Sequence, residues 1–311
     1  MHPNHIPGST HEAGTMPYVS VVMPHYRVRD EWALTAVRAA LDQNYPRERL
    51  EVIVVDDASG DIRHLKSIPG IRLVELETNA GASVARNHGV SVSEGQYLFF
   101  ADADDRIHPD AVRSCAYAAP GYALTYTDHR KVTGDLESVI HDRKKARFHE
   151  LHEQYKGTLL DPLLHTSFVG MCQFVDASAF REIGGYDPTL KKGEDFDMLL
   201  RLSELAAGMN FAHVPRTLYE YRENKRSVSH DRSLSEQPLE VIRRALARRG
   251  YTTSEPVGPL RLKPYDNSFY DLRENGTIIE IPYLDRANER LTDAYEPLEK
   301  PPAHHPEWTA A

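Results

Sequence analysis

The sequence predicts an α/β fold, a mostly parallel β-sheet flanked by helices, followed by a C-terminal extension of different character. Three observations carry this. Val19 to Met23 and Val52 to Val55 are near-continuous apolar runs of strand length. Between them, residues 30–43 place Trp32, Ala36, Val37, Ala40 and Leu41 at helical spacing. Apolar strands alternating with such helices mark βαβ units, whose parallel sheet is covered on both faces. After Tyr251 the pattern lapses, and prolines and turn residues become frequent.

The elements follow in order. Residues 1–16 read as a flexible arm. The first strand stops at Pro24, and Pro46 ends the first helix. The second strand runs into Asp56-Asp57. Ile71 to Leu76 forms a third strand, and residues 80–92 a helix whose Ala82, Ala85 and Gly89 permit close packing. Tyr97 to Ala101 is a fourth strand. Pro109 suits the first turn of a helix over 109–118. Leu124 to Thr127 is extended, and 130–160 is a charged loop-and-helix excursion. Phe168 to Val175 returns to strand, and Ala177 to Ile183 is a short helix before the turn at Gly184-Gly185. Residues 194–205 are helical through Met198, Leu199 and Leu202. Phe211 to Val214 and Leu218 to Arg222 are extended, and 236–249 is a helix with Leu239, Ile242 and Leu246 on one stripe. In the extension, Asn275-Gly276 between Phe269–Leu272 and Thr277–Ile281 reads as a hairpin. The chain thus divides into an arm (1–16), a first half (17–128), a second half (129–250) and an extension (251–311) with a loose tail.

With 37 basic and 46 acidic side chains, the net charge of -9 argues against non-specific nucleic-acid binding. It leaves room for a polyanionic ligand held through metal. Cys115 and Cys172, far apart in sequence, argue against a disulfide scaffold or a cysteine-based zinc site. Neither a signal-peptide pattern nor an apolar run of membrane length is present, so the expectation is a soluble, cytoplasmic protein. The sixteen histidines are scattered, and His304-His305 belongs to the tail.

The chemistry gathers where strands end. Phe-Phe-Ala-Asp-Ala-Asp-Asp (99–105) runs an apolar strand into three carboxylates. In an extended segment Asp102 and Asp104, at i and i+2, point the same way. Together they suit one hard divalent cation and, through it, a diphosphate; the alternative is a solvated turn. Ligands collect beyond the carboxyl ends of parallel strands, which places Asp57 to accept from a base or ribose, or else to cap a helix. Arg86, in the helix opened by residues 79–87, offers a fork of donors toward phosphate or acid, unless it lies on a solvated face. Gly-Glu-Asp-Phe-Asp (193–197) opens another helix. One of its carboxylates is a candidate general base for an acceptor hydroxyl, although acidic residues also suit a helix's first turn. Asp197 and Arg201 are spaced to pair along that helix.

Together these blocks resemble the GT-A-fold glycosyltransferases of family 2. The resemblance covers Val19 to about Ser229. It rests on Val-Ser-Val-Val-Met-Pro-His-Tyr (19–26), Val-Ile-Val-Val-Asp-Asp-Ala-Ser-Gly-Asp (52–61), Asn-Ala-Gly-Ala-Ser-Val-Ala-Arg-Asn (79–87), Ala-Asp-Ala-Asp-Asp (101–105), Gly-Gly-Tyr-Asp (184–187), Gly-Glu-Asp-Phe-Asp (193–197) and Tyr-Arg-Glu-Asn-Lys-Arg-Ser-Val-Ser (221–229). It implies a Rossmann-like GT-A sheet and a non-processive, inverting transfer of a sugar from a nucleotide-sugar to an acceptor hydroxyl. A UDP-sugar is the first expectation, with GDP- and dTDP-sugars open, and Mn²⁺ or Mg²⁺ is the implied cofactor. Residues 17–128 would bind the donor, and 129–250 the acceptor. Pro24, Tyr26 and Asp57 would line the base pocket, with Asp56 close by and Arg86 near both base and metal motif. Asp102, Ala103 and Asp104 match the aspartate-x-aspartate motif on the donor. Asp104 would be the closer metal ligand, and Asp102 would favour the ribose or metal-bound water. Asp195 matches the usual base, with Glu194 shaping the acceptor site.

Two positions depart from the family pattern. Arg27 stands where asparagine is frequent. Asn224 stands where many members carry histidine, so that contact is missing or passes to His230, Lys225 or Arg226. The Gln-x-x-Arg-Trp motif and membrane helices of processive members are absent, which argues against polymer synthesis coupled to export. The expected partners are a nucleotide-sugar and a hydroxyl-bearing acceptor, with a homodimer contact one use for the extension. Lys144, Lys145 and Arg147 either meet an anionic acceptor or form a solvated face. Two other readings stay open. A sugar nucleotidyltransferase would want a glycine-rich loop that residues 25–29 lack; a non-catalytic binding relative would not need intact Asp102, Asp104 and Asp195.

Overall fold

Four strands and three helices open the fold: β1 (Val19–His25), α1 (Asp30–Leu41), β2 (Leu50–Asp56), α2 (Arg63–Lys66), β3 (Ile71–Glu75), α3 (Ala82–Ser91) and β4 (Tyr97–Phe100). They belong to a computed structural model that describes residues 16–143, 145–205, 211–224, 232–234, 236–251, 254–261, 268–275, 277–281, 284–285 and 290–291. The expectations for residues 1–15 of the arm, for Lys144, Lys225, Arg226 and His230, and for the tail with His304-His305 lie outside these residues. β1 pairs in parallel with β2 and β4, and β2 with β3. Both faces of β1 are covered. Val19, Val21 and Met23 pack with Ala33, Ala36, Val37 and Ala40 of α1. On the other face α3 lies so close that a Cβ on Gly89 would sit 2.5 Å from Val22 Cγ1. That two-sided burial is why the strands read as apolar runs without alternation.

The chain goes on with β5 (Arg106–Ile107), α4 (Ala111–Ala118), β6 (Leu124–Val132), β7 (Val139–Arg143), α5 (Ala146–Tyr155), α6 (Pro162–His165), β8 (Gln173–Asp176), α7 (Ala177–Glu182), α8 (Glu194–Ser203), β9 (Phe211–Arg222) and α9 (Gln237–Arg248). One nine-stranded sheet runs through both halves in the order β3-β2-β1-β4-β8-β6-β9-β5, with β7 on β6. The parallel ladder holds through β4 and is renewed between β6 and β9. β8 is antiparallel to both its neighbours, so the α/β sheet is mixed. A parallel partner needs a crossover connection; β8 instead enters after the long excursion from β6.

Several boundaries moved. β6 continues past Thr127 to Val132, although Asp128, His129, Arg130 and Lys131 look like loop residues; all four are buried. Asp128 bonds His213 Nε2 at 2.9 Å, and Arg130 pairs with Asp142 at 3.1 Å. Phe211 to Arg222 is one strand; its register against β6 skips Pro215 and Arg216, so the proline sits in a bulge. Phe168 to Cys172 lies outside β8. Cys115 and Cys172 are buried free thiols.

The extension forms an antiparallel sheet of β10 (Ser254–Arg261), β11 (Ser268–Glu274) and β12 (Thr277–Ile278). β11 and β12 make the expected hairpin, with Asn275 at φ 51° in its two-residue loop. β13 (Leu284–Asp285) and β14 (Arg290–Leu291) pair separately. Tyr270, Leu272 and Ile281 join the hydrophobic cluster that contains Phe196 of α8 and Leu239, Ile242 and Leu246 of α9. Among the described residues no helix is long and apolar enough to cross a membrane.

Candidate active site

Beyond β4 the chain turns instead of staying extended, and the Asp105 amide bonds the Asp102 carbonyl at 3.2 Å. The turn, not strand alternation, gathers Asp102, Asp104 and Asp105, with one carboxylate oxygen of each within 4.8 Å of the others. Ala103 is buried between them. Their partners come chiefly from α3 and the end of β9. Asp102 Oδ1 accepts from Arg86 Nη2 at 2.8 Å, and the Asp102 amide donates to Tyr219 Oη at 3.1 Å. Asp104 Oδ2 accepts from Asn224 Nδ2 at 3.0 Å, and the Asp104 carbonyl from Arg222 Nε at 2.6 Å. Asp105 accepts from Tyr219 Oη at 2.7 Å and from the Arg222 amide at 2.8 Å, so it anchors the turn to β9. The sequence marked Asp105 as part of the cluster but gave it no role. Tyr219 and Arg222 went unassigned, although Arg222 lies in the quoted 221–229 block.

Burial, and then Asp102, raise the Asp104 carboxyl above its ordinary range. Burial, Asp104 and Asp102 hold Asp105 well above its own. Like charges crowded together resist ionisation, and a divalent cation relieves them. An all-oxygen donor set suits Mg²⁺ or Mn²⁺. Asp102 and Asp104 therefore fit a hard cation.

Arg86 joins this cluster to the second acidic centre. Its Nη1 reaches Glu194 Oε1 at 3.0 Å, and its guanidinium lies 5.2 Å from the centroid of the Tyr186 ring. Burial opposes its charge, but Asp102, Tyr186 and Glu194 outweigh that and hold it firmly protonated. It is neither on a solvated face nor pointed at open solvent. Asn87 fixes the loop between α7 and α8 through two bonds to the Tyr186 backbone, at 2.8 and 2.9 Å. A Cβ on Gly185, at φ 75°, would lie 2.7 Å from Asn87 Oδ1, so only glycine fits that approach. The Asp197–Arg201 pair forms at 2.5 Å, and Arg201 also bonds the carbonyls of Ile183 and Gly185 at 2.7 Å each. Asp195 Oδ1 accepts from the Phe196 amide at 2.8 Å. Burial, then Glu194, push its carboxyl up to about 7.

The residues at the ends of β1 and β2 are more occupied than the sequence suggested. Asp56 bonds His25 Nδ1 at 2.8 Å and the Ser59 amide at 3.0 Å. Asp57 accepts from the Ala80 and Gly81 amides at 2.7 and 2.8 Å, tying β2 to the start of α3. Tyr26 is 43% exposed beside half-buried Pro24, with Arg27 over its ring. Arg27 holds φ 49°, and its amide bonds Ser59 Oγ. Lys145 is buried with Nζ on the Thr127 and Val169 carbonyls, so neither a solvated face nor an acceptor contact describes it. Arg147 pairs with Glu150 at 3.0 Å.

The family model described as Glycosyl transferase family 2 matches residues 20–184. The chain belongs to that family. It is a family 2 glycosyltransferase, and the family's chemistry is inverting sugar transfer. Amylovoran biosynthesis glycosyltransferase AmsB of Erwinia amylovora is 27% identical over 272 residues, covering 78% of this chain and 84% of AmsB. Protein y4gI of Sinorhizobium fredii is 27% identical over 264 residues; the match takes in 81% of this chain but 28% of y4gI. Residues 1–349 of TarS from S. aureus, crystallised with UDP-GlcNAc, superpose with a TM-score of 0.58 at 18% identity, covering 74% of this chain and 66% of that one. This last likeness supports the GT-A fold.

Proposed function

We propose that this family 2 glycosyltransferase moves a sugar from a nucleotide-sugar, a UDP-sugar first, to a hydroxyl of a saccharide acceptor in one inverting displacement. The observation that carries it is the single bridge from Asp102 through Arg86 to Glu194, which sets a cation-compatible cluster beside a carboxyl held near neutrality. UDP-GlcNAc in the TarS structure supports the donor class, and the name of AmsB supports a saccharide acceptor.

In this proposal Asp104 and Asp102 hold Mn²⁺ or Mg²⁺. When bound, the ion offsets charge that develops on the departing diphosphate. Asp195 accepts the proton of the attacking hydroxyl, and Glu194, fixed by Arg86, borders the acceptor. Tyr26 and Pro24 line the base pocket from the end of β1. Asp57 and Asp56 shape that pocket by bracing its loops, since their oxygens already serve backbone amides and His25. Residues 17–128 bind the donor and 129–250 the acceptor, as functional halves of one sheet.

The test is release of nucleoside diphosphate from a panel of nucleotide-sugars with Mn²⁺, by wild type, Asp104→Asn and Asp195→Asn. Metal-dependent turnover lost in both variants supports the proposal. Pyrophosphate release from a nucleoside triphosphate plus sugar phosphate would replace it with nucleotidyl transfer. Donor binding without turnover would make the chain a binding relative.

A further inference from the structure

The end of β9, like α3, holds the metal-motif turn. Arg222 and Asn224 stand two residues apart, and both reach Asp104. Arg222 Nε takes its main-chain carbonyl at 2.6 Å, and Asn224 Nδ2 takes its carboxylate Oδ2 at 3.0 Å. Arg222 is 3% exposed, lies over the Trp32 ring at 4.8 Å, and bonds the Gly134 carbonyl through Nη1. The platform that presents Asn224 is therefore fixed before any ligand arrives.

Asp105 is tied to β9. Both of its oxygens are engaged, by Tyr219 Oη and by the Arg222 amide. Asp102 and Asp104 remain, and each has one oxygen pinned by one side-chain donor, Arg86 Nη2 on Asp102 Oδ1 and Asn224 Nδ2 on Asp104 Oδ2. The second oxygen of each meets no side-chain donor among the described residues, and the Asp104 carboxylate takes one further bond from its own amide. A side-chain donor thus fixes one end of each carboxylate.

We propose that Asn224 is the positioning residue for the cation: its amide N–H fixes Asp104 Oδ2 and so presents the other oxygen to Mn²⁺ or Mg²⁺. This rests on the metal reading above. A neutral amide is the donor suited to the place. It orients the Asp104 carboxylate without adding a further positive charge to those of Arg86 on Asp102 and Arg222 on the Asp104 carbonyl. Residues that orient a metal's ligands typically contribute 10- to 100-fold to its affinity.

The experiment measures Mn²⁺ binding to the full chain by electron paramagnetic resonance of free Mn²⁺. It compares wild type, Asn224→Leu (similar size, no donor), Asn224→Ala and Asn224→Gln (donor kept), with circular dichroism to verify folding. The expected result is a Kd for Mn²⁺ raised about 10- to 100-fold in N224L and N224A. N224Q recovers part of that loss, and donor turnover returns toward wild type at saturating Mn²⁺. Two folded donor-less variants that bind Mn²⁺ as tightly as wild type would overturn the role of Asn224 and leave the metal reading standing. A wild type that binds no Mn²⁺ would overturn both.

Discussion

Asp195 is the residue whose environment most resembles a working base. Its carboxyl is pushed up to about 7, first by burial and then by Glu194, close to where a general base is most effective at neutral pH. Only the ionised form accepts a proton, so turnover is expected to rise with pH through about 7. Asp195→Asn is expected to lower kcat by about 10²- to 10⁴-fold and to remove that limb of the pH profile, as read by diphosphate release. The same shift acts on stability. A carboxyl whose folded pKa lies above its unfolded one favours the fold below pH 4, and the benefit is lost as pH rises through about 7. Asp195→Asn should therefore melt higher than wild type at pH 8, with the gap closing toward pH 5. Arg86 predicts the opposite. It is buried between Asp102 and Glu194, and Arg86→Gln leaves two carboxylates without their cation. Losing one member of a buried pair costs about 3–5 kcal/mol, which urea unfolding would detect. A loss below 1 kcal/mol would mean that the bridge is dispensable to the fold.

At the scale of elements, two packing contacts decide how the acidic centres are held. α3 carries Arg86 and presses on β1 and β2 at Gly89, where an added Cβ would lie 2.5 Å from Val22 and 3.2 Å from Val55. Alanine is the better helix former by about 1 kcal/mol, yet overpacking costs typically 1–3 kcal/mol and would tilt Arg86 away from Asp102. Gly89→Ala should therefore be less stable than wild type and turn over more slowly; higher stability would show that α3 has room to shift. α8 carries Glu194 and Asp195, and its Phe196 ring stacks on Tyr270 of β11 at 6.4 Å, so the extension backs the helix that presents the proposed base. The apolar periodicity that places α1, α3, α8 and α9, and the runs that place β1, β2 and β4, were legible in the sequence because covered strands and amphipathic helices advertise their faces. β6 was legible only to Thr127, since its later residues are polar and the partner of Asp128, His213, lies 85 residues on. β10 was hidden by Pro256 and Pro259. In the site, the aspartates and Arg86 were visible as motifs. Of the donors from the end of β9, Asn224 was visible only as a replacement for histidine, and Arg222 and Tyr219 not at all, because all three meet the metal-motif turn only after the chain has crossed the whole sheet.

On the scale of the whole molecule, the site lies where the two halves share one sheet. The metal-motif turn follows β4, its partners sit at the end of β9, and Arg86 reaches from α3 to α8. Binding there is therefore linked to global stability. Without a cation the cluster is a liability, since burial and mutual repulsion raise Asp104 and Asp105 above their usual range. Folded-state pKa values raised in this way favour the fold at low pH, and that contribution disappears as pH rises and the carboxylates are forced to ionise. The metal-free protein should thus lose more stability as pH rises above the ordinary carboxylate range than the same protein with Mn²⁺. A ligand that binds only the folded state adds about 2.7 kcal/mol at 100 times its Kd, a rise of several degrees in Tm for a chain of 311 residues. Scanning calorimetry at pH 8 should show that rise with Mn²⁺ and its reversal by EDTA. Asp104→Asn should melt higher than wild type without metal, because one repelling charge is gone, and should respond little to Mn²⁺. A Mn²⁺-dependent shift of equal size in Asp104→Asn would place the cation elsewhere on the molecule and detach the acidic turn from donor binding.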